Sequence, residues 1–262
     1  MALTCTIIAH NESDRIERCI LAARKVADEI VVIDSGSTDD TRAKAAALGA
    51  RVFFNPWDGF GPQKRFAEEC ASHDWILNLD ADEVITDELA DEIRALMSGS
   101  ARLPGYRFRQ VTVYPGWARP RLWADYHNYV RLYDRTRMRF RASRVHDTVD
   151  TAGEETGQLQ GIALHYSWRS IAHARAKLEK YTDLQAKELR KPRWQILARL
   201  PIEYPFLFFR YFILRRNFTG GMVGLHITHL TAHARFRRLV KIMHAQAQAA
   251  AAHPSSVPAF DA

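Results

Sequence analysis

Asp80, Asp82 and Glu83 fall within four positions at the end of an apolar run, WILNLDADEVIT, residues 75–86. Two carboxylates one residue apart repel each other, and a divalent cation relieves that repulsion most simply. Hard oxygen ligands favour Mg2+ or Mn2+, which keep water and take further oxygens from a substrate's phosphates. A solvated acidic loop is the alternative. The stretch DSGSTDDT, residues 34–41, carries a second set. Ser37 or Thr38 can cap the following helix, with Asp40 three after Ser37 completing a capping box. Asp34 and Ser35 precede the cap, where a carboxylate can accept from a nucleotide base or ribose. HNES, residues 10–13, is a similar turn, although Asx and Ser caps explain such turns without a ligand.

These turns need elements to position them. LTCTIIA (3–9), EIVVID (29–34), RVFFN (51–55) and DWILNLD (74–80) read as strands. Helical patterns separate them: RIERCILAARKVA places Ile16, Cys19, Ile20 and Ala23 on one face, TRAKAAALGA ends at Gly49, and a third runs from about Gln63 to Ala71. The order β-α-β-α-β-α-β predicts an α/β fold, a mostly parallel sheet flanked by helices. Ligands in such sheets bind beyond the carboxyl ends of the strands. Thr86 is a fitting N-cap for TDELADEIRALM, which leaves Asp80 to Glu83 in the loop at that edge. After Gly99, strands are expected at 106–114, 129–134 and 159–168, with an aromatic loop, PGWARPRLWADYHN, between the first two. A helix is expected over 170–189.

A chain of 262 residues, 47% hydrophobic, can bury one large core or one domain with an appendage. Cys5, Cys19 and Cys70 lack metal-type spacing and sit in apolar segments, so they are expected to be reduced, in the cytosol. The first residues, MALTCTIIAHNE, show no basic n-region, and no signal peptide is expected. Charge is uneven: residues 1–166 carry a net −4 and residues 167–246 a net +12. Between Arg102 and Arg144 there are eleven Arg and two acids, Asp125 and Asp134, a candidate surface for an anionic partner. The aromatic stretch WQILARLPIEYPFLFFRYFILRR contains Pro201, Pro205 and several charges, and NFTGGMVGLHITHLTAHA contains three His, so neither reads as a membrane span. A basic amphipathic region lying on an anionic membrane surface fits better, with a helical subdomain or dimer face as the alternative. The end of the chain is expected to be flexible.

IIAHNE, VVIDSGSTDDT and ILNLDADE, in this order and spacing, resemble the family 2 glycosyltransferases, inverting enzymes with the GT-A fold that use nucleotide-diphospho-sugars. NPWDGFGPQKRFA, RVHDTV and LHYSWRSIAHARAKLEKYT further resemble the branch containing the lipopolysaccharide core β-1,4-glucosyltransferases. The resemblance implies that Ala9, Asn11 and Glu12 edge the nucleotide pocket and that Asp34 binds the base, with Ser35 beside it. It implies that Lys64 approaches the base or diphosphate, a Lys on a solvated helix face being the alternative. By the same resemblance Asp82 would be the principal metal ligand, Asp80 would hold the ribose or the metal's water shell, and His165 would reach the metal or diphosphate, a core His being the alternative. The match also makes Asp147, standing where the branch has Glu, the expected base for the acceptor hydroxyl, with His146 expected to orient it; the alternative makes them a structural pair with Glu83 as base. The implied cofactor is Mg2+ or Mn2+ and the implied donor a UDP-sugar, UDP-glucose first. The implied acceptor is an anionic, lipid-linked saccharide of the lipopolysaccharide inner core.

The chain therefore divides into a GT-A catalytic domain at 1–168 (nucleotide-sugar half 1–99, acceptor half 100–168), a basic helical region at 169–246 and a tail at 247–262. Residues 193–246 are expected to contact the cytoplasmic face of the inner membrane, and an oligomer is compatible with the sequence. A nucleic-acid-binding protein is the rival from another class, prompted by a pI of about 9.4. It lacks an RNP or GXXG signature, and acids at the strand ends repel phosphates. A degenerate transferase acting as a membrane scaffold is a third reading, against which the intact acids count.

Overall fold

The computed structural model describes residues 1–99, 103–144 and 147–252. Its contacts divide into two compact units, Met1–Val113 with Asp125–Ser167, and Tyr114–Ala124 with Trp168–Ala262. Residues 114–124, within the expected aromatic loop, thus group with the C-terminal helices.

The first unit opens with β1 (Leu3–Ala9), α1 (Ile16–Ala23), β2 (Glu29–Asp34), α2 (Thr41–Ala47), β3 (Arg51–Phe54), α3 (Phe60–Cys70) and β4 (Trp75–Asp80), the alternation the sequence predicts. A three-residue strand, β5 (Glu83–Ile85), then precedes α4 (Asp87–Ser98), whose N-cap Thr86 accepts from the Leu89 N–H. β6 (Gly105–Thr112), β7 (Tyr126–Asp134) and β10 (Gly157–His165) complete the large sheet, while β8 (Arg139–Phe140) pairs with β9 (Val149–Asp150) apart from it. The sheet order is β3-β2-β1-β4-β7-β6-β10-β5. The pairs among β1 to β4 are parallel, as is β6 with β10, whereas β7 and β5 run antiparallel to their neighbours.

Every residue of β1 is buried because both faces are covered, as parallel strands require. Leu3, Cys5 and Ile7 pack with Ile16, Cys19 and Ile20, the face of α1 predicted from its periodicity. Ile8 joins Val31, Ile33 and Ala67 on the other side. β1 has β2 on one flank and β4 on the other, so the chain reverses its order of winding there, the position at whose carboxyl end such sheets bind ligands.

The second unit is helical: α5 (Ile171–Glu188), α6 (Arg193–Phe209), a π-turn over Arg210–Leu214, a 3-10 turn over Asn217–Gly220 and α7 (Gly221–Ala252). Ser170 caps α5 through the His173 N–H. Ala186, Ile196, Leu239 and Ile242 form its core. α6 continues through Pro201 and Pro205, which the sequence marks as breaks. Among the described residues no helix is long and apolar enough to cross a membrane. The tail expected to be flexible lies, from residue 253 onward, outside the described residues.

Candidate active site

Register brings the predicted residues to one edge. Ala9 is paired with Asp34 across β1 and β2, and Ile8 with Asp80 across β1 and β4. The HNES and DSGSTDDT turns are laced together. The Asn11 N–H donates to Ser37 Oγ at 2.9 Å, the Thr38 N–H to Asn11 Oδ1 at 2.9 Å, and the Glu12 N–H to Thr41 Oγ1 at 2.8 Å. Asn11 adopts φ 57°, a left-handed conformation that Asn tolerates better than most residues.

The expected capping box does not form. α2 begins at Thr41 with Asp40 at its N-cap position and no side-chain cap bond, and Ser37 instead donates to Asp34. Asp34 is fully buried and also accepts from the Gly36 and Ser37 N–H groups, each at 3.0 Å. Its carboxylate therefore holds the turn that follows β2, with Gly36 at φ 101° giving the reversal. Ser35 donates its N–H to the Ala9 carbonyl at 3.1 Å.

The acids after β4 lie in a denser cluster. Lys64 is fully buried, not on a solvated helix face, and its Nζ stands 2.8 Å from an oxygen of Asp80 and 2.8 Å from one of Asp147. Arg131, also buried, reaches the same two carboxylates at 3.5 and 3.2 Å and donates to Asn78. Two cations thus clamp two acids that are 67 positions apart in the chain. Burial alone would raise the Asp80 pKa, but Lys64 and Arg131 hold it well below the carboxylate range. Arg131 stays charged despite its burial because Asp147 and Asp80 face it.

The glycines of GFGPQK explain how Lys64 arrives. A Cβ on Gly61 would lie 2.1 Å from the Arg141 carbonyl oxygen, and one on Gly59 2.5 Å from the Arg144 Cα. The Gly61 N–H donates to the Ser143 carbonyl at 3.0 Å. Bare backbone lets the first turn of α3 press against residues 141–144, the segment leading to Asp147.

Asp82 and His165 form the neighbouring pair, with His165 Nε2 3.5 Å from Asp82 Oδ1. β5 delivers this geometry, because its antiparallel pairing with β10 sets His165 opposite Glu83. Burial lowers the His165 pKa, but Asp82 outweighs it and raises the value; His165 in turn lowers that of Asp82 against burial. Glu83 is buried, accepts the Asp80 N–H at 3.1 Å, and is pushed up to about 7 by burial and by Asp80. Arg15 joins the two halves: it pairs with Glu12 and with Asp82 at 3.4 Å, and donates to the Tyr166 carbonyl at 2.8 Å.

Asp82 and His165 supply one carboxylate oxygen and one imidazole nitrogen at a separation two ligands of one ion can take, and Mg2+ or Mn2+ sites commonly leave the remaining positions to water and phosphate. Asp80 faces the cations instead. Among the described residues no group of three or more His, Cys, Asp or Glu is gathered for a metal. His146 lies outside the described residues. Arg15 and Arg131 were not singled out by the sequence reading. The signal for Arg131 was there: an Arg inside the apolar strand YVRLYD must be paired if the strand is central.

A glycosyl transferase family 2 model matches residues 4–152. A Rickettsia prowazekii protein named as an uncharacterised glycosyltransferase is 38% identical over 247 residues, covering 90% of this chain and 85% of that one. A Rhizobium meliloti protein named lipopolysaccharide core biosynthesis glycosyltransferase LpsC is 29% identical, covering 91% and 93% of the two chains. Among solved structures, glucosyl-3-phosphoglycerate synthase from Mycobacterium tuberculosis, in complex with Mn2+, UDP and glucosyl-3-phosphoglycerate, aligns with 44% of each chain at 25% identity and a TM-score of 0.34. The fold is that of a glycosyltransferase with the GT-A fold. The chain belongs to glycosyltransferase family 2.

Proposed function

We propose that the protein is an inverting hexosyltransferase that moves glucose from UDP-glucose to an anionic, lipid-linked saccharide of the lipopolysaccharide inner core. The observation that carries the reading is the clamp in which Lys64 and Arg131 hold Asp80 and Asp147 together beside Asp82 and His165. It puts the donor-side acids and a carboxylate from the acceptor half at one point. The similarity to LpsC supports the acceptor class.

In this reading the laced turns at Ala9 to Glu12 and Asp34 to Ser37 form a rigid floor for the nucleoside, with backbone groups already fixed. Asp82 and His165 would hold Mg2+ or Mn2+, which as a Lewis acid offsets charge on the leaving diphosphate. Lys64 and Arg131 keep Asp80 ionised and fix the position of Asp147. Asp147 takes the proton of the acceptor hydroxyl. Its side chain is 27% exposed, whereas Glu83 is 1% exposed and bound to the backbone of Asp80, so an acceptor reaches Asp147 first. The basic C-terminal region, 193–246, keeps the enzyme at the cytoplasmic face of the inner membrane, where such acceptors lie.

Thermal unfolding tests the donor site. UDP with Mn2+ is expected to raise the midpoint more than other nucleotides, and Asp82→Ala to abolish the rise. Asp147→Asn is expected to keep the UDP shift and lose transfer by about 100-fold or more. If no nucleotide shifts the midpoint while DNA or RNA binds in a salt-sensitive way, the transferase reading of the site fails.

A further inference from the structure

Helix α6 is apolar on both sides: Ile196 and Leu207 are buried, and its outward side is apolar as well. Trp194, Leu197, Ile202, Phe206 and Phe209 face solvent, with Trp194 70%, Ile202 60% and Phe206 57% exposed. The one acid within the helix points inward: Glu203 is only 4% exposed and bridges at 2.7 Å to Arg199, which is 43% exposed. At about 3.6 residues per turn the five exposed side chains, together with Pro201 and Pro205, occupy roughly one half of the helix circumference. Ile213 extends the strip into the π-turn. A soluble surface helix turns polar and charged side chains to water, and an apolar strip of this length on the outward face marks a partner or a membrane.

Charge at the margins of the strip chooses between them. Arg190, Lys191 and Arg193 stand at one end and Arg210, Arg215 and Arg216 at the other, and Glu203, already held by Arg199, is the sole acid in residues 190–222. A second copy docked on this face by two-fold symmetry would set cationic end against cationic end with no carboxylate to relieve them. An anionic bilayer meets both needs, since it takes the apolar half among its acyl chains and offers phosphates to the flanking Arg. We propose that α6 and the π-turn lie in the plane of an anionic lipid interface, seated by Trp194, Ile202, Phe206 and Phe209. The segment lies outside the residues matched by the family model. The inference narrows the membrane contact of the proposed function from a broad basic region to one helix face, and rests on that reading only for its purpose.

Flotation with vesicles tests it. The full chain is expected to float with phosphatidylcholine vesicles containing phosphatidylglycerol, weakly with phosphatidylcholine alone, and less at high salt. Ile202→Glu with Phe206→Glu is expected to reduce the vesicle-bound fraction by about tenfold or more while the UDP-induced thermal shift is unchanged. Ile202→Ser with Phe206→Ser serves the same purpose if the acidic pair does not fold. Wild-type protein that stays unbound, or a variant that floats equally well, overturns the proposal. So does light scattering that shows a dimer dissociated by the same substitutions without vesicle binding. Loss of the UDP shift with vesicle binding intact strikes the donor site alone, and the reverse strikes only this interface.

Discussion

Arg131 shows what one buried cation does in this site. It touches Asp80, Asp147 and Asn78, and lies 5.9 Å from the centre of the Phe140 ring. Arg131→Met leaves two carboxylates to share Lys64 in a buried setting, where removing one member of a charge network costs about 3 kcal/mol or more. Chemical denaturation is expected to show that loss, and Arg131→Lys to recover part of it, because an ammonium restores charge without the planar fork. Unchanged stability in Arg131→Met means the acids are compensated elsewhere. The sequence made the acids legible, since Asp80 and Asp82 sit at a recognisable strand end. It did not pair them with their cations, because Lys64 and Arg131 come from elements distant in the chain and only the folded sheet brings them to Asp80 and Asp147. The eleven Arg of 102–144 likewise looked like one surface for an anionic partner. In the structure Arg121 and Arg131 are buried, Arg139 pairs with Glu68 and Glu69, Arg137 with Glu154, and Arg144 with Asp58.

At the scale of elements, α3 is the part that aims Lys64. Gly61→Ala places a Cβ against the Arg141 carbonyl, and backbone cannot move aside as a side chain can. The helix must shift away, with a stability cost of about 1 to 3 kcal/mol and a larger fall in transfer than in UDP binding, measured by denaturation and by turnover. Full turnover in this variant means Lys64 tolerates displacement. The opposite end of the sheet has its own tie. Glu29, at the start of β2, accepts from Thr4 Oγ1 at 2.7 Å and from the Ser72 N–H and hydroxyl at 2.8 and 2.7 Å, and pairs with Arg51. Burial pushes its pKa up, but these donors together lower it from 4.5 to about 2. The native state therefore binds this proton less readily than the unfolded chain. Its contribution is complete above pH 4.5 and is lost as pH falls through about 2. Glu29→Gln is expected to destabilise the protein at neutral pH and to flatten that acid limb in a pH series of unfolding curves. The strands and helices of this half were legible because their periods of two and 3.6 are clean. β5 was not, because three residues of strand are set by pairing with β10 and carry no period of their own.

For the molecule as a whole, the aromatic segment between β6 and β7 matters most. Its sequence predicts a loop of the acceptor half, but residues 114–124 group with the helical unit. Arg121 is the reason within that unit: buried to 4% exposure, it donates to the carbonyls of Leu122, Trp123, Arg215 and Arg216 and to Asn217 Oδ1 at 2.9 Å. The tight NFTGG turn makes room for the same segment, since a Cβ on Gly220 would lie 2.3 Å from the Tyr114 ring. No local pattern in PGWARPRLWADYHN announces this, because the acceptors are carbonyls some 95 residues away, presented only once the turn after α6 has formed. Arg121→Met removes the guanidinium while keeping most of the stem, so four part-buried carbonyls and the buried Asn217 Oδ1 lose a donor at once. A cost of about 1 to 3 kcal/mol is expected, most of it from the buried Asn217 acceptor. Limited proteolysis should then cut within 114–124 faster than in the wild type, while UDP still raises the unfolding midpoint, since the donor residues lie in the other unit. Cleavage at the wild-type rate would mean that Tyr114 and the glycines hold the segment without Arg121.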